Sequence, residues 1–276
     1  MLRAGAALAL AFLLSSCAGG VCPVRRWDDA TRALEAYDAM RAPARVVRAE
    51  AGVDRRQGDQ RVRGTILMIL QRPDRVRFDA MAQFGPAAIL TSDGTTFALT
   101  DLREERFLLG PTCPANVERL VGVPLEASEV VRLLLGEGPR IPAQTEDITC
   151  EGGTYRITRR GGGRVQVLEL EVRQEDAQEA PPLQRLRLRR AEVRGPDGSL
   201  EWRASWDDYR VVEDPRGDAA ARMGIAMPFR IRLEHPARGT DTLIRFESIE
   251  LNVRVPSDAF VQEPRPGLSV EAATCE

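Results

Sequence analysis

Apolar and polar residues change their spacing several times along this chain. Trp27, Ala30, Leu34 and Tyr37 recur at helical spacing with Asp28, Arg32 and Glu35 between them, which predicts one amphipathic helix ending before Pro43. From residue 44 the period falls to two. Strands are predicted near 44 to 53, 60 to 71, 75 to 82, 86 to 92 and 95 to 100, parted by turn signals at Arg72-Pro73-Asp74 and Asp93-Gly94, with a short strand near 105 to 109. The alternation then stops. Residues 116 to 121 and 127 to 135 read as two short helices separated by Gly122 and Pro124 and closed by Gly136. Strands resume afterwards, with hairpin turns at Gly152-Gly153, Gly161-Gly162-Gly163, Pro196-Asp197-Gly198 and Ala237-Arg238-Gly239.

The later strands are one-sided. Phe229, Ile231 and Leu233 share one face while Arg230, Arg232 and Glu234 share the other, so one face is buried and one is wet. The alternation slips between Phe246 and Ile249, and again at Leu168, as a bulge or strong bend would make it do. This predicts a mainly β (α+β) fold: one curved antiparallel sheet of about eleven strands forming an incomplete barrel, with the helices as a lid over its apolar side. Residues 174 to 183 form an acidic loop, and neither a second domain nor an internal repeat is visible.

Some segments are apolar beyond what a one-sided strand or helix needs. Ile66, Leu67, Met68, Ile69 and Leu70 are hydrophobic on both strand faces, and Val130, Val131, Leu133, Leu134 and Leu135 cover more than one side of a helix. Such a concave face is filled either by a packed core under the lid or by a hydrophobic ligand. Ile66, Met68, Leu70, Leu120, Val130, Leu133 and Leu134 are the candidate lid and cavity residues.

Composition narrows the chemistry. The formal charge of −2 argues against a general nucleic-acid binder, and all 39 basic residues are arginine, a bias read as genomic. With a single histidine, His235, set in a His-Pro turn, Ser-His-Asp catalysis and multi-histidine metal sites are nearly excluded. No phosphate loop, dinucleotide fingerprint or nucleophile elbow is present, so no catalytic residue, metal or cofactor is assigned. Asp28-Asp29 and Asp207-Asp208 read as a solvated helix start and a turn. Arg185, Arg187, Arg189 and Arg190, alternating with Leu186 and Leu188, read as a solvated strand face rather than a binding stripe.

The first residues carry an address. Arg3, the apolar run from Ala6 to Leu14 and the small residues around Cys17 form an export signal too short to span a bilayer as a mature helix. Leu14-Ser15-Ser16-Cys17 resembles the bacterial lipobox, in which the cysteine is lipidated and becomes the first mature residue; the alternative is an ordinary signal peptide cut nearby. Ala18 rather than aspartate follows Cys17, which points to the outer membrane, with the protein lipid-anchored and facing the periplasm. In that oxidising compartment the remaining Cys22, Cys113, Cys150 and Cys275 are disulfide material, and four thiols allow three pairings. The preferred pairing joins Cys113 to Cys150 across the helical segment and Cys22 to Cys275 between the tails.

Residues Arg119-Leu-Val-Gly122-Val-Pro124-Leu-Glu-Ala-Ser-Glu-Val-Val-Arg-Leu-Leu-Leu-Gly136 resemble the helical lid of the LolA/LolB-like lipoprotein family, closest to the outer-membrane lipoprotein receptor LolB. Phe78 to Leu90 with the Asp93-Gly94 hairpin resembles the strand, loop, strand unit of that family, and Trp202 to Tyr209 and Met227-Pro228 match less distinctively. The resemblance implies a half-barrel domain over 27 to 262 with lid helices near 115 to 136. It would be flanked by a signal peptide at 1 to 16, a lipidated tether at 17 to 26 and a Pro-rich tail at 263 to 276. It further implies a non-enzymatic, monomeric receptor that takes lipoprotein acyl chains from a periplasmic LolA-like carrier and inserts them into the membrane. Phe84 and Gly85 align with the exposed loop that touches the membrane in that family. The departures are the greater length, the added cysteines and Pro86 after the loop glycine. The alternative is a lipid-binding or envelope-assembly lipoprotein on the same scaffold without receptor activity.

Overall fold

The computed structural model describes residues 20–83, 85–121, 123–214, 217 and 224–275, with the side chains of Leu120 and Val121 left aside. Helix α1 (Ala30–Ala39) starts where Asp29 accepts a hydrogen bond from the Arg32 N–H at 3.0 Å, so the first of the two paired aspartate motifs is a helix cap. Six strands follow as a meander: β1 (Val46–Gln57), β2 (Gln60–Gln71), β3 (Arg75–Ala82), β4 (Gly85–Ser92), β5 (Thr96–Asp101) and β6 (Arg106–Pro111). Helices α2 (Pro114–Val121) and α3 (Ala127–Leu134) interrupt the sheet. A second meander then runs through β7 (Thr145–Glu151), β8 (Thr154–Gly161), β9 (Arg164–Val172), β10 (Leu186–Arg194), β11 (Leu200–Val212), β12 (Ile225–His235) and β13 (Thr240–Leu251), and a short β14 (Ser269–Ala272) comes last.

All fourteen strands belong to one sheet, in the order β14-β6-β5-β4-β3-β2-β1-β13-β12-β11-β10-β9-β8-β7. The incomplete barrel is therefore present, but the expected eleven strands become fourteen, chiefly through the edges. Strand β7 alternates only between exposed and half-buried residues and β14 is exposed throughout, so neither carries the apolar alternation that marks a strand in sequence. The two meanders meet where β1 pairs with β13, and the slip at Phe246 to Ile249 is a real bulge: Glu50 faces Ser248 and Ala51 faces Phe246. The slip near Leu168 has another cause. The bulge lies across from it, at Arg189 of β10, and the buried Gln166 supplies a polar residue on the core face of β9.

Both disulfide partners differ from the preferred pairing: Cys22 joins Cys150 and Cys113 joins Cys275, with Cα separations of 6.0 and 6.1 Å. The reason is topological. Cys113 follows β6 and Cys150 lies in β7, which stand at opposite ends of the strand order, so a bond across the helical segment would have to cross the whole bowl. Each bridge instead ties a terminal segment to one edge. The described parts of the expected tether, from residue 20, and of the tail, as far as Cys275, are accordingly joined to the fold. Val24 N–H donates to the Ala177 carbonyl at 3.2 Å and Pro23 is buried, while β14 pairs in parallel with β6 and Ala273 is buried beside Gly110. A Cβ on Gly110 would stand 2.0 Å from the Ala273 carbonyl oxygen, so glycine is what lets the tail approach.

The core lies on the concave side. Helix α1 sits over the second meander and α3 lies between it and β3 of the first: Trp206 donates its indole N–H to the Leu133 carbonyl at 2.9 Å, and the Tyr37 hydroxyl donates to the Gly136 carbonyl at 2.5 Å. Asp38 accepts from Arg140 and Arg132, and the almost fully buried Glu137 pairs with Arg72 and Arg132. The convex face is wet and ion-paired, as its arginines predict: Arg48 with Glu250, Arg230 with Asp207, Arg232 with Asp241 and Arg190 with Glu192. In the Arg185 to Arg190 run, Arg185 pairs with Asp176 and the Arg187 guanidinium stands over the Tyr209 ring, while Leu186 and Leu188 point into the core.

Candidate functional site: an apolar cavity at the rim of the first meander

The hairpins β1–β2, β3–β4 and β5–β6 turn at the same rim of the bowl, since each first strand ends there and each second strand begins there. Just inside that rim a cavity of about 340 Å³ opens on the concave face. Register explains its lining. Ile66 faces Ala80 and Ala80 faces Ala88 in one row, Phe78 faces Leu90 and Leu90 faces Leu99 in the next, and Val53 of β1 faces Gly64, so two adjacent apolar rows line the cavity from β1 to β5. Several of the residues nearest the rim are small, among them Gly64, Ala80, Ala87 and Ala88, and this keeps the space open. Ala87 is the extra residue of a bulge, because Ala80 pairs with Ala88 and Met81 with Pro86. A volume of this size is at the low end of the ~300–1,000 Å³ usual for small-ligand sites.

Across the cavity stands the last turn of α2. The Arg55 guanidinium donates to the Arg119 carbonyl at 3.3 Å and to Gln57 Oε1 at 3.1 Å. Burial lowers the Arg55 pKa, against which Glu118 acts only partly. Glu118 is itself paired with Arg238.

The structure separates the residues that sequence grouped as lid and cavity. Ile66 lines the cavity; Met68, Leu70, Val130, Leu133 and Leu134 are at most 2% exposed and pack in the core. Leu120 is on α2, its side chain outside the described residues. Gly85 opens β4 with φ of +122°, where any side chain is strained, and nothing stands within 4 Å of where its Cβ would be. Phe84 and Cys17 lie outside the described residues. Among the cavity residues that sequence reasoning missed are Val53, Phe78, Ala80, Ala88, Leu90 and Leu99. Phe78 and Leu99 were legible as inward-facing strand residues, but nothing local says that no lid side chain fills the space beside them.

A second cleft of about 290 Å³ lies under the linker between α2 and α3 and is charged. Its Arg164 pairs with Glu201, and burial raises the Glu129 carboxyl despite the hydrogen bond from Glu126 N–H. Among the described residues, no three His, Cys, Asp or Glu side chains are grouped as a metal site requires, and no helix is long and apolar enough to cross a membrane.

No protein-family model and no curated protein matches the sequence. Solved structures do resemble it. A DUF1329 family protein from Desulfovibrio piger superposes with a TM-score of 0.54 at 12% identity, over 85% of this chain and 98% of that one. A LolA superfamily protein from Nitrosomonas europaea superposes with a TM-score of 0.51 at 13% identity, over 86% of this chain and 99% of that one. At such identities the likeness is one of architecture, and this chain shares the fold of a LolA superfamily protein.

Proposed function

We propose that this protein is a lipid-anchored envelope lipoprotein that binds an acyl chain in the rim cavity and helps receive lipoproteins and insert them into the outer membrane, as LolB does. The observation that carries the reading is the cavity itself, apolar from β1 to β5 and open at a rim where three hairpins meet. Apolar chains passing between such a site and a bilayer expose little surface to water, so transfer needs neither ATP nor covalent chemistry. The fold shared with a LolA superfamily protein supports the assignment, as do the lipobox at Cys17 and the lid motif ending at Gly136. In this reading Cys17 carries the anchor, a soluble LolA-like carrier delivers the cargo, and Phe84 on the β3–β4 turn meets the membrane. The protein acts as a monomer and not as an enzyme.

Depletion in the native host, followed by fractionation of other lipoproteins, tests the receptor role. Lipoproteins should accumulate short of the outer membrane, and unchanged delivery would end the proposal. Phe84→Glu should reproduce the defect without loss of folded protein, whereas loss of folding would make the residue part of the core. One observation favours a second reading, a lipid-binding lipoprotein without receptor activity. A 340 Å³ cavity fits one chain better than the several chains of an acylated lipoprotein. Under that reading purified protein would carry a lipid and exchange nothing with a carrier.

A further inference from the structure

The arginines of this protein fall into two populations. On the convex face most stand opposite carboxylates, as Arg48 does with Glu250 and Arg232 with Asp241, and the exceptions, such as Arg75 and Arg245, are scattered over different strands. Around the rim cavity they mostly do not. Arg55, Arg103 and Arg119 all line the cavity, and among the described residues none of their guanidinium groups has a carboxylate oxygen within 4 Å, the Asp101 carboxylate meeting only the backbone N–H of Arg103. Arg63, a fourth lining residue, shares Asp54 with Arg61. The one lining carboxylate, Asp101, is engaged by Arg106 at 3.6 Å.

These cations come from four places: the end of β1, the start of β2, the turn after β5 and the last turn of α2. All four lie toward the rim, while Phe78, Leu90 and Leu99 lie deeper. An apolar interior under an arginine mouth has the polarity of a molecule with a hydrocarbon tail and a negative head. Arginine presents a planar fork of donors that matches carboxylate and phosphate oxygens. Arg55 shares its donors with the Arg119 carbonyl and Gln57, and the charge of all three forks is left without an anionic partner. A neutral glyceride head would accept only ordinary hydrogen bonds from them, without the charge-assisted gain of an anion, and a cationic head would be repelled.

We propose that the rim cavity is a selective site for a single-chain lipid with an anionic head, its acyl chain along Ile66, Phe78 and Leu90 and its carboxylate or phosphate held by Arg55, Arg103 and Arg119. The inference rests on the acyl-chain reading above and adds to it the choice of head group. The small volume admits one chain, and the charge at the mouth selects among single-chain lipids.

The test is competition against a fluorescent fatty-acid probe bound to the purified mature protein with its disulfides intact, using lysophosphatidylglycerol, palmitate, monopalmitoylglycerol and inorganic phosphate. Both anionic lipids should displace the probe at least about tenfold more readily than monopalmitoylglycerol of the same chain length, and phosphate alone should not displace it. The preference should shrink in 0.5 M salt, as partly exposed charge pairing does. Arg103→Gln with Arg119→Gln should remove about tenfold of the affinity for the anionic lipids and leave monopalmitoylglycerol unchanged. Arg232→Gln on the convex face should change neither. Equal competition by monopalmitoylglycerol would overturn the head-group inference while leaving the acyl cavity standing. Absence of any lipid competition would overturn both, and displacement by phosphate alone would make the site a simple anion site.

Discussion

The two halves of the bowl are built from the same kind of strand and end differently. Under the second meander, α1 and α3 fill the concave face. Leu133 and Val130 are wholly buried, Trp206 and Tyr37 hydrogen-bond to the end of α3, and Glu137, Arg132, Arg72, Asp38 and Arg140 lock that end to α1 and the β2–β3 turn. Under the first meander α3 reaches β3 and seals Met68, Leu70 and Val76, but toward the rim the last turn of α2 stands opposite the apolar face, and about 340 Å³ stays open. The open half is braced from behind instead. The C-terminal segment lies on its convex face, with Phe260 buried and Gln262 hydrogen-bonded to the Ile89 and Ala98 carbonyls, and β14 and the Cys113–Cys275 bridge close its edge. An empty apolar wall needs support that does not come from its missing contents. A tail running across the back supplies it.

If that division is right, removing volume should be costly in the sealed half. Leu133→Ala leaves a void among side chains that have no room to collapse, and should lower the unfolding free energy by about 3 kcal/mol in urea or thermal unfolding. It should leave binding of a fluorescent fatty-acid probe unchanged. Glu137→Gln comes next. It strips the charge from a carboxylate that two arginines share at the end of α3, and because Arg72 and Arg132 still reach solvent the loss should be about 2 kcal/mol. A loss of probe binding without loss of stability in either variant would put the ligand site under α3 and erase the contrast.

Much of the bowl was legible in sequence and the contrast was not, for a reason that particular residues show. The alternation of Phe229, Ile231 and Leu233 marks β12, the slip after Phe246 marks a bulge, and Pro124 and Gly136 bound α3, because all of these are local patterns. Met68 and Ile66 are two positions apart on one face of β2 and read alike. One is sealed in the core and the other borders the cavity, and the difference depends on which helix stands opposite, which no local pattern encodes. The edges failed for a related reason. Strands β7 and β14 lack apolar alternation because the sheet ends there, and the disulfide pairing follows from which edge each terminus reaches.

Adding volume to the open half should be cheap. Ala88→Phe places a ring in existing space at the cavity wall, so stability should change by less than about 1 kcal/mol, while probe affinity should fall at least about tenfold. A large loss of stability would show that the wall around Ala88 is already close-packed.

The smallest effect separates the halves by pH. In the sealed half, burial would raise the carboxyls of Asp176 and Glu192, but the hydrogen bonds from Arg185 and Arg190 outweigh it and hold both below the ordinary carboxylate range. A carboxyl depressed in the folded state contributes stability that is fully present above its unfolded value, near pH 4, and is lost as pH falls through the folded value. Unfolding free energy should therefore decline on acidification below about pH 4, and Asp176→Asn, weaker at neutral pH, should show a shallower decline over the same interval. The mouth of the open half is held by arginine, which keeps its charge throughout, so affinity for a phosphodiester-headed lipid such as lysophosphatidylglycerol should stay flat between about pH 5 and pH 8 while the fold is intact. A step in affinity within that range would mean that a titrating group controls the mouth, and that the open half is gated by protons rather than held ready by its arginines.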